Sequence, residues 1–234
     1  MEIEIVTTGR WDVSALIADR FAAGRVFLAG DAAHTLPPSR GGFGANTGID
    51  DAHNLAWKLS AVLSGASTPH LLDSYDAERR PIAWLRHQQI FAREDFKEVA
   101  GPTAGDVAII DDAAMEFGQI YRSTAVLGAG DGLPPALRPE QWAGQPGTRA
   151  PHLWVTRGEE RLSTLDLFQG GWVLLAEDEH WSAAATGASA RLGIKLECLR
   201  VGVDVRPDDP EAFRTAFGLA TTGASLVRPD GYVA

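Results

Sequence analysis

Asp31 follows Gly30 at the end of the apolar run Val26-Phe27-Leu28-Ala29, and the next residues are rich in proline and glycine. Four apolar residues in a row predict a parallel strand covered on both faces. A carboxylate at the C-terminal end of such a strand stands where open α/β sheets bind ligands. Pro37 and Pro38 stiffen the turn that follows. Gly41, Gly42 and Gly44 strip it of side chains and leave backbone N–H groups accessible. Asn46 or Thr47 is then placed to cap a helix from Gly48 to Ser64. Bare N–H groups at a helix start carry partial positive charge and suit an anion or a polarised carbonyl. On this chemistry alone, a phosphate and the N1–C2=O edge of a reduced flavin fit equally well.

Order and spacing say more than any one residue. The run GRVFLAGDAAHTLPPSRGGFGANTGIDDAHNLAWKL, from Gly24 to Leu59, closely resembles the second flavin-binding segment of the single-component FAD-dependent aromatic hydroxylases. That class includes para-hydroxybenzoate, phenol and polyketide hydroxylases. The resemblance implies that Gly30 and Asp31 meet the ribityl chain of FAD. It places Pro38 near the reacting edge of the ring. It assigns the turn containing Gly41, Gly42, Gly44, Ala45 and Asn46 to the pyrimidine carbonyl, through backbone N–H groups. One departure is visible: two residues, Ser39 and Arg40, separate the proline pair from the glycine pair, where the family pattern has one. Arg40 is thereby the charged residue outside the motif best placed to meet an anionic ligand.

The resemblance implies a monooxygenase that uses FAD, NAD(P)H and O₂ on an aromatic small molecule or polyketide. It covers only part of such an enzyme. No Gly-x-Gly-x-x-Gly fingerprint for the ADP half of FAD occurs in the chain. Gly128, Gly130 and Gly132 run into Pro134-Pro135 and read as a loop. Residues 1–6 alternate and read as the last strand of a substrate-binding sheet. The chain therefore resembles the C-terminal half of a hydroxylase, which implies a complementing N-terminal half chain or a homodimer as partner. Two other functions stay open beside it: a non-catalytic assembly module and a remnant without activity.

The elements that would position these residues fall into an α/β arrangement of three parts. Residues 1–96 form the C-terminal part of an FAD-binding domain. Ile49, Ala52, Ala56, Leu59 and Leu63 recur at helical spacing and predict the buried stripe of the helix, with Asp50 and Asp51 in its first turn. Thr68-Pro69 opens a second helix, which Pro81 interrupts and kinks. The charges of Tyr75-Asp76-Ala77-Glu78-Arg79-Arg80-Pro81 read as structural helix pairs, and Asp73, Asp76 and Glu78 suggest no acid–base pair beyond a solvated helix face. Residues 97–147 are a connector with a helix near Asp112 to Tyr121. Residues 148–234 predict strands at Gly171–Ala176 and Leu196–Val201, helices at His180–Leu192 and Pro210–Phe217, and a hairpin around Pro229-Asp230-Gly231. This order resembles the thioredoxin-like C-terminal domain of the phenol and polyketide hydroxylases, here without a cysteine pair.

Composition narrows the alternatives. The formal charge of −10 argues against sequence-independent nucleic-acid binding. No apolar run approaches the ~18 residues of a membrane span, and the acidic start is unlike a secretory signal; a cytoplasmic location is expected. The single cysteine, Cys198, excludes an internal disulfide and reads as a buried thiol in a strand. The six histidines lack metal-ligand spacing, and His34 is expected to hydrogen-bond beneath the Gly30–Asp31 loop.

Overall fold

The computed structural model describes residues 4, 6–9, 14–38, 42–94, 96, 107–130 and 132–234. The expected strand over residues 1–6 and the residues Ser39, Arg40 and Gly41 lie wholly or largely outside this set.

The first unit packs two long helices, α1 (Phe43–Leu63) and α2 (Asp73–Phe91), against short strands β1 (Leu16–Ile17), β2 (Ala22–Ala23), β3 (Val26–Phe27) and β4 (His34–Thr35). β1 pairs antiparallel with β4, and β2 with β3. The buried parallel strand expected over Val26–Ala29 is therefore corrected to a two-residue hairpin arm, turned at Gly24 (φ +61°), with Val26 63% exposed. A parallel strand needs parallel neighbours, and among the described residues β3 has only the antiparallel β2 beside it.

α1 also departs from expectation. It begins at Phe43, with Gly42 as N-cap at φ 64°. Asn46 and Thr47 therefore lie inside the helix, and Asp50 and Asp51 lie two turns in. The predicted apolar stripe is not the buried one. Ile49 and Leu63 are 67% and 82% exposed, and Ala52 and Ala56 are exposed as well. The buried face is Phe43, Thr47, Asp51, Asn54 and Lys58. These positions obey helical spacing too, and their polar groups find partners on α2 and near the C-terminus. α2 runs through Pro81 without a break and is preceded by a 3₁₀ turn, Pro69–Leu72, with Thr68 as its extended cap. Glu78, expected on a solvated face, is buried at 1% exposure, and Arg79, expected in a structural pair, is buried at 0%.

The helix expected near Asp112 is α3 (Asp112–Phe117), whose first N–H groups are accepted by the Asp111 carboxylate. The segment after it is packed against its neighbours: Gly118 sits so close to Leu137 that a Cβ would lie 1.6 Å from the Leu137 carbonyl oxygen. Tyr121 stacks on Tyr232 with ring centroids 4.0 Å apart.

The last unit carries two three-stranded sheets. β7 (Trp172–Ala176) and β8 (Leu196–Arg200) are parallel, joined by α4 (His180–Leu192), and β10 (Ala224–Val227) flanks β7 antiparallel. The second sheet has the order β6 (Glu160–Ser163), β5 (Trp154–Arg157), β9 (Arg206–Pro207). α5 (Pro210–Phe217) buries Phe213 and Phe217 against Val155, Leu175, Val205 and Val227. Cys198 is half-buried and not fully buried as expected, with its Sγ 3.8 Å from Ser182 Oγ.

The two units are joined by a buried ionic cluster. Arg228, just after β10, donates from Nη1 and Nη2 to the two carboxylate oxygens of Glu78 on α2 at 2.7 and 2.9 Å. Its Nε and Nη2 also bond Asp230. Lys58 Nζ and Asn54 Nδ2 of α1 each donate to Glu78 Oε2 at 2.7 Å. Among the described residues no helix is long and apolar enough to cross a membrane.

Candidate functional site

The Gly30–Asp31 turn is a single 3₁₀ turn, Gly30–Ala32, entered from extended Ala29. Gly30 has φ +58°, a conformation that costs glycine little and other residues more. The turn lies directly on α1. A Cβ added to Gly48 would meet the Gly30 Cα at 3.1 Å. Two facing glycines thus set how closely turn and helix approach. Gly48→Ala is expected to push them apart and to cost about 1–3 kcal/mol; a urea titration compared with the parent chain measures it.

Asp51 ties the turn down. Its Oδ2 accepts the Gly30 N–H at 3.1 Å and lies 2.6 Å from His34 Nε2. Its Oδ1 accepts Arg79 Nε at 2.7 Å. Asp51, His34 and Arg79 are all buried. Burial by itself would raise the Asp51 carboxyl. The hydrogen bond to His34 and the Arg79 guanidinium outweigh it and hold the group below the ordinary carboxylate value. His34 thus does bond beneath the loop, as its position suggested. Asp31 is left exposed, its carboxylate presented to solvent beside the turn.

The second half of the site is the start of α1. Its N-cap is glycine, and no side chain caps it. The first N–H groups of any helix have no intrahelical acceptor, so those of Phe43, Gly44 and Ala45 form the donor set here. The N–H of Asn46 bonds Gly42 O at 3.1 Å. The helix starts earlier than expected, so Asn46 is a member of its first turn and not the cap before it. Ala45 and Asn46 are exposed, as is Pro38, while Pro37 is buried. Arg79 Nη2 donates to Thr47 O at 3.0 Å and Arg86 Nη1 to Thr47 Oγ1 at 2.6 Å. Two buried guanidinium groups therefore grip this turn from α2. The parts played by Thr47, Gly48, Asp51, Arg79 and Arg86 in shaping the site were not foreseen. Thr47 and Asp51 were read only as a helix cap and a first-turn charge, and Arg79 only as a member of a helix charge pattern.

This donor set fits a flavin. An exposed carboxylate can accept from sugar-alcohol hydroxyls, and an uncapped helix start can meet a polarised carbonyl without a side-chain competitor. The comparisons with known proteins agree. Residues 1–89 match the family described as FAD binding domain, and residues 143–234 match that described as aromatic-ring hydroxylase, C-terminal. Both ends of the chain match segments of the FAD-dependent aromatic-ring hydroxylases.

Among relatives of the chain is a putative polyketide hydroxylase of Streptomyces halstedii, 42% identical over all of the chain and 44% of the relative. The tetracenomycin A2 monooxygenase-dioxygenase of Streptomyces glaucescens is 43% identical, over all of the chain and 42% of the relative. A solved structure of aklavinone-11 hydroxylase with FAD and aklavinone superimposes with a TM-score of 0.84 at 43% identity, covering 96% of the chain and 42% of that structure. The chain thus spans less than half the length of these relatives, and it corresponds to their C-terminal part.

Proposed function

We propose that this chain supplies the ribityl and pyrimidine-edge side of the FAD site in a monooxygenase that hydroxylates an aromatic or polyketide ring with NAD(P)H and O₂. The observation that carries the reading is the clamp of the Gly30–Asp31 turn onto the uncapped start of α1 through Gly48 and Asp51. Asp31 would accept from ribityl hydroxyls. The N–H groups of Gly44 and Ala45 would face the pyrimidine carbonyl, and Pro38 would stand at the ring edge. A bound flavin supplies the electron transfer and oxygen activation that no side chain can. The chain's own residues bind and orient: helix-start dipoles favour negative charge on the facing carbonyl, and the buried Asp51–Arg79 pair holds those dipoles still.

The remainder of the cofactor and the ring substrate would be held by a complementing N-terminal segment. The exposed apolar face of α1, with Ile49, Ala52, Ala56 and Leu63, supports such a partner, since a large exposed apolar patch marks an interaction surface.

The direct test is the visible spectrum of the purified chain after incubation with excess FAD and desalting. The expected result is a retained flavin band near ~450 nm that is lost in Asp31→Ala. A colourless parent chain would overturn flavin binding by this segment on its own. A band unchanged in Asp31→Ala would take the ribityl contact away from Asp31.

A further inference from the structure

Arg79 is fully buried and turns one guanidinium nitrogen to each of three elements. Nε donates to Asp51 Oδ1 at 2.7 Å, and Asp51 holds the Gly30 turn. Nη2 donates to Thr47 O at 3.0 Å, at the start of α1. Nη1 donates to the Tyr121 hydroxyl at 2.8 Å. The first two partners shape the candidate site. The third comes from the segment after α3, 42 residues along the chain from Arg79.

Tyr121 is itself fixed from the last unit. Its backbone N–H donates to Gly147 O at 2.7 Å, and the Gly147 N–H donates to Val233 O at 2.8 Å. Gly147 stands at φ +89°, and a Cβ there would lie 2.3 Å from the Tyr121 carbonyl oxygen, so only glycine lets the two segments come this close. The Tyr121 ring, 1% exposed, lies on Tyr232 at an interplanar angle of 15°. Tyr232 O in turn accepts the Arg228 N–H at 2.8 Å. The hydroxyl thus has little freedom to follow Arg79, and Arg79 must come to it. A planar guanidinium with all three nitrogens engaged has one orientation that serves every partner. Withdrawing one acceptor in a buried place leaves an N–H unpaired and lets the fork tilt away from the other two.

We propose that Tyr121 is a positioning residue for the cofactor edge: through Arg79 it sets where the first N–H groups of α1 and the Gly30–Asp31 turn stand, so that packing in the last unit bears on the flavin site. This rests on the flavin reading given above. The placement matters because helix-start dipoles act on a facing carbonyl only when aimed at it. The coupling is reciprocal: a ligand that steadies the turn also steadies Tyr121 and the chain behind it.

The test compares Tyr121→Phe with Thr164→Val. The first keeps the stacked ring and removes the hydroxyl alone. The second removes a buried hydroxyl that bonds Pro151 O and the Leu153 N–H within the last unit, and so reports lost stability without lost position. In the flavin-free chain, amide exchange at Gly30 should quicken about three- to tenfold in Tyr121→Phe, the size expected for one lost hydrogen bond, and keep the parent rate in Thr164→Val. In the flavin-loaded chain the dissociation constant for FAD should rise by a similar factor in Tyr121→Phe. Its midpoint potential should move to more negative values, because displaced dipoles no longer favour the more negative, reduced ring. Should Tyr121→Phe fail to fold, Tyr232→Leu, which takes away the ring stacked behind the same hydroxyl, is measured in its place with the same expected shifts. A Gly30 amide at the parent rate in a folded variant, or equal shifts in Thr164→Val, would overturn the proposal. So would an FAD constant and a potential that stay at their parent values. A colourless parent chain would overturn the flavin reading and the cofactor half of the proposal with it, while Gly30 exchange still decides whether Tyr121 governs the turn.

Discussion

Glu78→Gln is expected to cost about 3–5 kcal/mol of folding free energy and to loosen the junction between the two units. The Glu78 carboxylate accepts five hydrogen bonds: two from Arg228, and one each from Lys58, Asn54 and Ser123, at 2.7–2.9 Å. Glutamine keeps the shape but removes the charge, and it turns one acceptor into a donor that faces donors. Arg228 would then keep the Asp230 carboxylate, while Lys58, like Arg228 at 0% exposure, would lose its carboxylate partner among the described residues. Leaving a buried charge short of its partner is what makes the breaking of such a cluster expensive, even though an intact one contributes little relative to an apolar core. Urea denaturation of parent and variant measures the difference; a loss below about 1 kcal/mol, the size of one ordinary hydrogen bond, would show that apolar contacts hold the units together instead.

The same carboxylate sets an acid limit. Burial would raise it, but the Arg228 hydrogen bonds and charge, then Lys58, outweigh burial and bring it down to about 2 from the ordinary 4.5. A group whose folded value lies below its unfolded one contributes stability that is complete above the unfolded value. That contribution is lost as the pH falls from about 4.5 toward about 2. Urea midpoints measured from pH 6 down to pH 2 should fall steeply in the parent chain and less steeply in Glu78→Gln.

What was legible in the sequence was local. The helix over Pro210–Phe217 announces itself by Asp209 and Pro210 at its start and by Gly218, at φ +61°, at its end. The helix over His180–Leu192 stops at Gly193 with the same left-handed turn. The Gly30–Asp31 turn and the glycines before α1 carry their chemistry in their residue types. The buried side of α1 was not legible, because hydropathy assigns Asp51, Asn54 and Lys58 to solvent and Ile49 and Leu63 to the core. The partner that reverses this for Lys58 is Glu78, and Glu78 in turn is neutralised by Arg228, 150 residues further along. No window on the helix itself contains that information. The strand over Val26–Ala29 failed for a related reason. Its composition specifies burial on two faces, but a sheet is a property of neighbours, and only β2 pairs with it among the described residues.

Asp51→Asn is expected to detach the Gly30–Asp31 turn from α1 while leaving the last unit intact. Asp51 serves three donors with two oxygens: the Gly30 N–H and His34 Nε2 on one, Arg79 Nε on the other. An asparagine cannot accept on both sides. Pointing its amide toward Arg79 opposes two donors inside a fully buried pocket; pointing it toward Gly30 releases the turn instead. Arg79 retains Tyr121 Oη at 2.8 Å and Thr47 O at 3.0 Å, so the helix pair should survive. The turn has no such reserve, because its tie to the helix runs through this carboxylate and the Gly30–Gly48 contact. The cost should be about 2–4 kcal/mol, from one broken buried charge pair and an unsatisfied donor. It should also be local. Amide hydrogen exchange at Gly30 is expected to speed up by about tenfold or more, with exchange in β7 and β8 little changed. Uniform acceleration across both units would mean that Asp51 acts only on global stability. A slow Gly30 amide in a folded Asp51→Asn chain would mean that the close glycine contact alone fixes the turn, and Gly48→Ala would then be the substitution that frees it.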